Sequence, residues 1–186
     1  MPKASTPTQS TQVSNDTASG IDIKTASLVL YFVSSLNGIL GKTHLMKLLF
    51  LTDLLASRRF GEKLTSIDYV RYHHGPYSDK IDDYVSFLTT KGLVEEKSYN
   101  FISDRSKKYY RYFIKKPVSV NEKLLDELGA EKMLLVREIV DSYGNMSLQE
   151  VLDVVYGLEI VKNSQKNSLL DLLQDPKFPK DDVEEH

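Results

Sequence analysis

Residues 72–77, which read Tyr-His-His-Gly-Pro-Tyr, form the most distinctive short segment of this sequence. Adjacent histidines suggest metal ligation, but a metal site needs three or four converging ligands. Neighbouring residues of an extended chain point to opposite sides, so His73 and His74 do not chelate one ion together. We therefore expect no metal. Two interpretations remain: a turn set by the Gly-Pro pair, or a binding rim of tyrosine and histidine side chains.

A second group of chemistry-bearing side chains lies in residues 91–116, which carry eight Lys or Arg against three Asp or Glu and interleaved aromatics. One interpretation is a wing that contacts nucleic acid, because each cation that meets a phosphate releases counterions. The other is an edge hairpin whose lysines prevent edge-to-edge pairing. The candidate nucleic-acid-binding residues are Lys97, Arg105, Lys107, Lys108 and Arg111.

The segment between these two groups is acidic, with Asp79, Asp82 and Asp83 around Lys80. Carboxylates on a helix that entered the major groove would repel the phosphates, and groove contacts are usually made by Arg, Lys, Asn or Gln. The acids also suit the first turns of a helix, where the helix dipole favours negative charge. An acidic helix beside a basic hairpin favours a protein-binding surface over DNA reading.

No pattern in the sequence selects an active site. It contains no glycine-rich phosphate loop, no His-Glu-x-x-His helix and no nucleophile elbow. It contains no cysteine, so it offers no thiol nucleophile, no cysteine zinc site and no disulfide framework. We expect no enzymatic activity, no cofactor and no small-molecule substrate.

The bulk properties exclude further classes of protein. A formal net charge of −2 argues against a protein that coats nucleic acid by bulk charge. No apolar run reaches the ~18–20 residues of a membrane span, and the N-terminus lacks the regions of a secretory signal. These features predict a cytoplasmic protein with no membrane partner.

Composition divides the 186 residues into three parts. Residues 1–20 are rich in Ser and Thr and bury too little apolar area to fold, so they are predicted to be disordered. Residues 175–186 form an acidic tail with two prolines, predicted to be flexible. Residues 21–174 are long enough for a single domain with one core.

Periodicity and breaker residues predict the elements that position these side chains. Helices are expected at 22–37, at 43–59 with Thr43 as the cap, and at 76–90 with Pro76 in the first turn. An extended segment at 67–72 precedes the third helix, and strands at 93–97 and 108–114 form a hairpin after it. Three later helices are expected. The first spans 121–142, the second begins at a capping box formed by Ser147 and Glu150, and the last ends before Asp175.

This order predicts an α+β, mostly helical fold. The helix that feeds a hairpin gives it a winged-helix-like core with a short strand and a β-hairpin, followed by C-terminal helices.

Four motifs of the sequence resemble those of the Panacea-domain, SocA-like antitoxin family. Residues 45–53 resemble its KLLY-x-x-D helix, and residues 61–69 its G-x-x-[IL]-[ST] segment with the following Tyr. Residues 72–78 are similar to its G-P-x-S turn, and residues 143–152 to its late element, in which Y-G-x-x-S is followed by a Leu. Their order and spacing, rather than any single motif, carry the resemblance.

The resemblance implies an antitoxin-like interaction protein that binds and neutralises a cognate protein toxin. Its predicted partner-binding surface is the rim and the neighbouring helix: Tyr69, Tyr72, His73, His74, Pro76, Tyr77, Asp79 and Asp82. The alternative is a winged-helix DNA-binding transcriptional regulator that uses the basic hairpin.

Overall fold

Two long helices, α1 (Ile23–Ser35) and α2 (Lys42–Phe60), lie at the centre of the protein. They belong to a computed structural model that describes residues 20–116 and 126–174. The predicted tails, apart from Gly20, and the predicted helix start at 121–125 lie outside these ranges. Helix α1 is buried on most faces, and the Asp22 side chain caps it by accepting a hydrogen bond from the Thr25 amide at 3.0 Å.

Helix α2 ends as predicted at Gly61, whose φ of +75° suits glycine, but its predicted cap is wrong. The N-cap is Gly41, which has no capping side chain, and Thr43 lies inside the helix. The loop before α2 sets this start because it pairs with a later strand, through Gly38 N to Tyr112 O at 2.9 Å and Tyr112 N to Leu40 O at 2.9 Å.

The predicted third helix begins later than the Gly-Pro pair suggests. Residues Gly75–Tyr77 form strand β2, which pairs antiparallel with β1 (Val70–Tyr72), and helix α3 spans Lys80–Thr90. Pro76 lies opposite Arg71, whose N–H and C=O bond to Ser168 and Asn167 on the other side. The missing proline N–H therefore costs no sheet hydrogen bond, and Pro76 is accepted in a strand.

Strands β3 (Val94–Asn100) and β4 (Lys108–Ile114) form the predicted basic hairpin, and the first strand ends three residues later than expected. Helices α4 (Ala130–Tyr143), α5 (Leu148–Gly157) and the short α6 (Glu159–Lys162) follow. The capping box at Ser147 and Glu150 is confirmed.

The expected last helix, ending before Asp175, is wrong. After α6 the chain runs back along β1, where Leu170 N donates to Tyr69 O at 2.8 Å. This segment replaces a helix because the outer edge of β1 offers backbone groups that need partners.

The α+β class, with mostly helical content, is confirmed by these elements. Helix α2 is the hub, because it packs against α1, α3, α4, α5 and β2. Within 20–116 and 126–174, no helix combines the length and the apolar character needed to cross a bilayer.

Asp53 anchors the chain between α2 and β1. This carboxylate is fully buried, and its Oδ1 accepts hydrogen bonds from Leu64 N and Thr65 N, both at 2.8 Å. Its Oδ2 accepts from Thr65 Oγ1 at 2.5 Å and from Tyr69 OH at 3.0 Å. Burial raises the pKa of Asp53 to about 6, although these donors and Lys63 oppose the shift.

We expect Asp53→Asn and Asp53→Ala to differ in their cost to stability. The two hydroxyls can turn to accept from an Asn amide, whereas the two backbone N–H groups need an oxygen. Asn supplies that oxygen and should cost about 1–2 kcal/mol, but Ala leaves the backbone donors unpaired and should cost at least about 3 kcal/mol. Urea unfolding at pH 7 measures both, and an Ala variant as stable as the Asn variant would contradict this assignment.

The raised pKa also predicts a pH dependence of stability. A carboxyl whose pKa rises on folding stabilises the fold below its unfolded pKa of about 4, and this contribution disappears as pH rises through 6. The unfolding free energy of the wild type, minus that of Asp53→Asn, should fall by up to about 3 kcal/mol between pH 4 and pH 7. A difference that rises over this range would be inconsistent with burial as the dominant effect.

Candidate partner-binding site

A concave surface forms where the β1–β2 hairpin lies on the first turns of α2. It encloses a cavity of about 180 Å³, which we call the rim cavity. Its walls come from both elements: Lys42, Thr43, Met46 and Lys47 on α2, and Tyr72, His74, Gly75 and Tyr77 on the hairpin.

Lys47 holds the two walls together. Its side chain is 2% exposed, and its Nζ donates a hydrogen bond to the Pro76 carbonyl at 2.6 Å. Burial, followed by the nearby positive charge of Arg71, lowers the pKa of Lys47 to about 8. The β1–β2 hairpin is thus held to α2 by a buried lysine that donates a hydrogen bond to a backbone carbonyl.

Gly75 allows the hairpin to come this close. Its φ of +82° disfavours other residues, and a Cβ there would lie 3.2 Å from Tyr156 Cε1 and 3.6 Å from Lys47 Nζ. The Gly-Pro pair therefore turns the chain and also lets it approach the buried lysine.

The exposed edge of the rim cavity is aromatic and charged. The Tyr72 ring is 44% exposed and lies with its centroid 5.5 Å from that of Tyr77 and 4.9 Å from that of His73. Lys42 Nζ lies 2.5 Å from Asp82 Oδ2 and 5.8 Å from the centre of the Tyr77 ring. The acidic α3 and the hairpin therefore meet at Lys42.

The predicted rim residues divide by burial. Tyr72, His73, His74, Asp79 and Asp82 are exposed, and Tyr77 is half-buried. Two assignments need correction, because the side chains of both residues are buried: Tyr69 donates to Asp53, and Pro76 packs in β2 above Lys47.

The α2 side of the rim, namely Lys42, Met46 and Lys47, is not among the residues predicted from the sequence. A signal for Lys47 was present, because it is a charged residue within the apolar run at 45–51. A lysine at such a position is rarely fully buried without a partner.

A second cavity, of about 290 Å³, lies between the α2 N-terminus and the β3–β4 hairpin, and we call it the hairpin cavity after that second hairpin. It shares Lys42 and Thr43 with the rim cavity, and its other lining residues are Gly41, His44, Phe101, Lys108, Tyr109, Tyr110, Arg111 and Leu148.

The predicted nucleic-acid-binding residues have different surroundings on the β3–β4 hairpin. Lys108 and Arg111 line the hairpin cavity. Lys97 lies 3.5 Å from Glu95 and Lys107 lies 3.3 Å from Asp104, whereas Arg105 is exposed in the turn.

Comparison with protein families matches residues 45–159 to the family described as Antitoxin SocA-like, Panacea domain. The match covers more than half of the chain. The protein belongs to the SocA-like, Panacea-domain family. Comparisons with curated proteins and with solved structures gave no match.

The matched Panacea segment contains the interactions that build the rim. Lys47 and Asp53 lie in the helix that resembles the family's KLLY-x-x-D motif, and Pro76 lies in its G-P-x-S turn. The Lys47–Pro76 hydrogen bond joins these two motifs, and the Asp53–Tyr69 hydrogen bond joins α2 to the residues before β1. Three of the four motifs that carry the resemblance thus meet in space.

Lys47 predicts a stability change at alkaline pH. A lysine whose pKa falls on folding to about 8 gives a contribution that grows as pH rises from 8 towards the unfolded pKa of about 10.4. The unfolding free energy of the wild type minus that of Lys47→Met should rise by up to about 3 kcal/mol over this range. Denaturant unfolding at pH 7.5, 9 and 10 tests this, and a flat or falling difference would mean that the ammonium is solvated in the folded state.

Proposed function

We propose that this protein is an antitoxin that binds and neutralises a protein toxin through the rim cavity and its exposed edge. Membership of the SocA-like, Panacea-domain family supports a general role in toxin–antitoxin systems. The geometry of the rim supports the finer proposal that this surface makes the contact.

The observation that carries the proposal is the exposed Tyr72 ring at the edge of a concave cavity. Binding hot spots are enriched in tyrosine, tryptophan and arginine, and they lie beside pockets that receive an anchor from the partner. The Met46 side chain and the Tyr77 ring offer apolar contacts in the rim cavity, while Lys42 and Asp82 supply a charged edge. An apolar anchor on the toxin, surrounded by polar groups, would fit this arrangement.

The rim is also prepared for binding before a partner arrives. The hairpin is fixed by the buried Lys47, and the Tyr72 and Tyr77 rings contact each other. Side chains already held in place lose less conformational entropy on association, which favours affinity.

The proposal assigns no catalytic residue, and the cytoplasmic location remains a prediction.

The winged-helix DNA-binding alternative depends on the charge of the β3–β4 hairpin alone. Two of its five named cations, Lys97 and Lys107, lie beside acidic groups of the same hairpin. The acidic residues exposed on α3 would repel the phosphates of bound DNA.

Co-expression with the product of the adjacent gene tests the proposal. We expect a stable complex and rescue of growth, and we expect Tyr72→Ala to weaken the complex by at least about 10-fold. Tyr99→Ala is the matched control, because Tyr99 has a similar exposure, 39% against 44%, and lines neither cavity. Isothermal titration calorimetry of the purified pair measures both variants.

Two outcomes would count against this function. The first is that no adjacent gene product forms a complex or is neutralised. The second is that Tyr99→Ala weakens binding as much as Tyr72→Ala does, which would move the interface to the β3–β4 hairpin.

A further inference from the structure

We propose that the hairpin cavity binds a phosphate monoester of a molecule that also carries an aromatic ring. The proposal does not depend on toxin binding, because Tyr72 and the other β1–β2 residues of the rim cavity do not line this cavity. It rests on three features: an uncapped helix start, two basic side chains, and a buried histidine with a free nitrogen.

The first feature is the N-terminus of α2. The first N–H groups of an α-helix have no partner within the helix, and a 19-residue helix presents a positive dipole end there. Gly41 provides no capping side chain, so no N-cap side chain accepts hydrogen bonds from the amides of the first turn. This arrangement favours an anion.

The second feature is the placement of Arg111 at the same point. The pairing of β4 with the loop at 38–40 brings Tyr110 and Arg111 against Gly41. A Cβ on Gly41 would lie 2.6 Å from Tyr110 O and 3.2 Å from Arg111 Nη1, so the guanidinium stands beside the helix start. Lys108 lines the same cavity. Lys42 also lines it, but Lys42 is paired with Asp82 and is not needed by the proposal.

The third feature points to a missing partner. His44 lines the cavity and is only 4% exposed, and its buried Nε2 has no hydrogen-bond partner within the described residues. The backbone of Tyr143, on α4, accepts a hydrogen bond from the ring, while Arg111 on β4 repels a second proton. Burial is the largest cause and lowers the pKa of His44; the Tyr143 hydrogen bond opposes this shift and Arg111 adds to it, so the ring is neutral and its Nε2 accepts.

This combination suits a phosphate monoester better than a carboxylate. A phosphate monoester has a second pKa near 6, so close to neutral pH it carries acceptor oxygens and, in part, an O–H donor. The oxygens match Arg111, Lys108 and the helix amides, and the O–H matches a neutral His44 Nε2. An ionised carboxylate has no donor to offer that nitrogen.

The aromatic walls indicate what the phosphate is attached to. Phe101, Tyr109 and Tyr110 line the remainder of the cavity, and the Phe101 and Tyr110 side chains are 43% and 44% exposed. Aromatic side chains stack on the planar rings of nucleobases and similar groups. A nucleoside 5′-phosphate therefore combines the two chemistries that the cavity presents.

Nuclear magnetic resonance titration of the full chain tests the proposal. The probes are inorganic phosphate and adenosine 5′-monophosphate, with sodium acetate at matched ionic strength and an unphosphorylated oligonucleotide as comparisons. We expect both phosphates to shift the amide signals of Lys42, Thr43 and His44 together with the His44 ring signals. The nucleotide should bind about 10-fold more tightly than phosphate because of stacking.

Variants that remove one positive charge distinguish a specific binding site from general electrostatic attraction. Arg111→Gln should weaken nucleotide binding by at least about 10-fold, and Lys108→Gln by about 3- to 10-fold. Arg105→Gln is the matched control, because Arg105 lies in the exposed turn of the same hairpin and lines neither cavity. It should change the affinity by less than about 2-fold. Amide spectra show whether each variant keeps its fold. If Arg111→Gln does not fold, Lys108→Gln provides the test, because Lys108 is exposed.

Several results would overturn the proposal. One is that acetate shifts the same signals as strongly as phosphate does. Another is that only the oligonucleotide binds, which would indicate nucleic-acid backbone recognition instead. A third is that Arg105→Gln weakens binding as much as Arg111→Gln does. Because these experiments use the isolated chain, their failure would leave the toxin-binding proposal untouched.

Discussion

The hydrogen bond from buried Lys47 to the Pro76 carbonyl is the interaction on which the rim depends. It crosses from the hub helix α2 to the β1–β2 hairpin, and it spans 29 residues of sequence at 2.6 Å. The Asp53–Tyr69 hydrogen bond ties α2 to the residues before β1, and residues 167–170 pair with the outer edge of β1, so Lys47 supplies the polar link between α2 and β2. A buried ammonium costs free energy, so its retention in a Leu-rich helix is better explained by positioning than by stability.

Helix α2 uses three buried polar residues to organise three different regions. Asp53 fixes the chain before β1, Lys47 fixes the β1–β2 hairpin, and His44 lies at the cavity beside β4. Their spacing of three and six residues distributes them along the helix, from its N-terminal turn to its middle. The protein therefore presents two adjacent cavities around one helix start, with Lys42 and Thr43 common to both.

Local signals predicted much of the fold. The apolar faces of α1 and α2, the capping box at Ser147 and the β3–β4 hairpin are all short-range features, and the structure confirms them. The errors come from long-range pairing. The Gly-Pro pair is typical of a helix start, and only the return of residues 167–170 along β1 explains why Pro76 is accepted in a strand.

The same distinction applies to the candidate site. The distinctive composition of residues 72–77 identified the exposed part of the rim. Burial of Tyr69 depends on Asp53, sixteen residues earlier, so no local pattern revealed it. The α2 wall was missed because an amphipathic helix predicts a core contact, and it does not show which buried lysine meets a carbonyl from another element.

The central claim is that a toxin binds at the rim, and hydrogen–deuterium exchange of the complex tests it most directly. Toxin binding should slow amide exchange at the β1–β2 hairpin and in the first turns of α2, and it should leave the exposed face of α4 around Leu134 unchanged. Protection around Leu134 with unchanged exchange at residues 72–77 would contradict the claim.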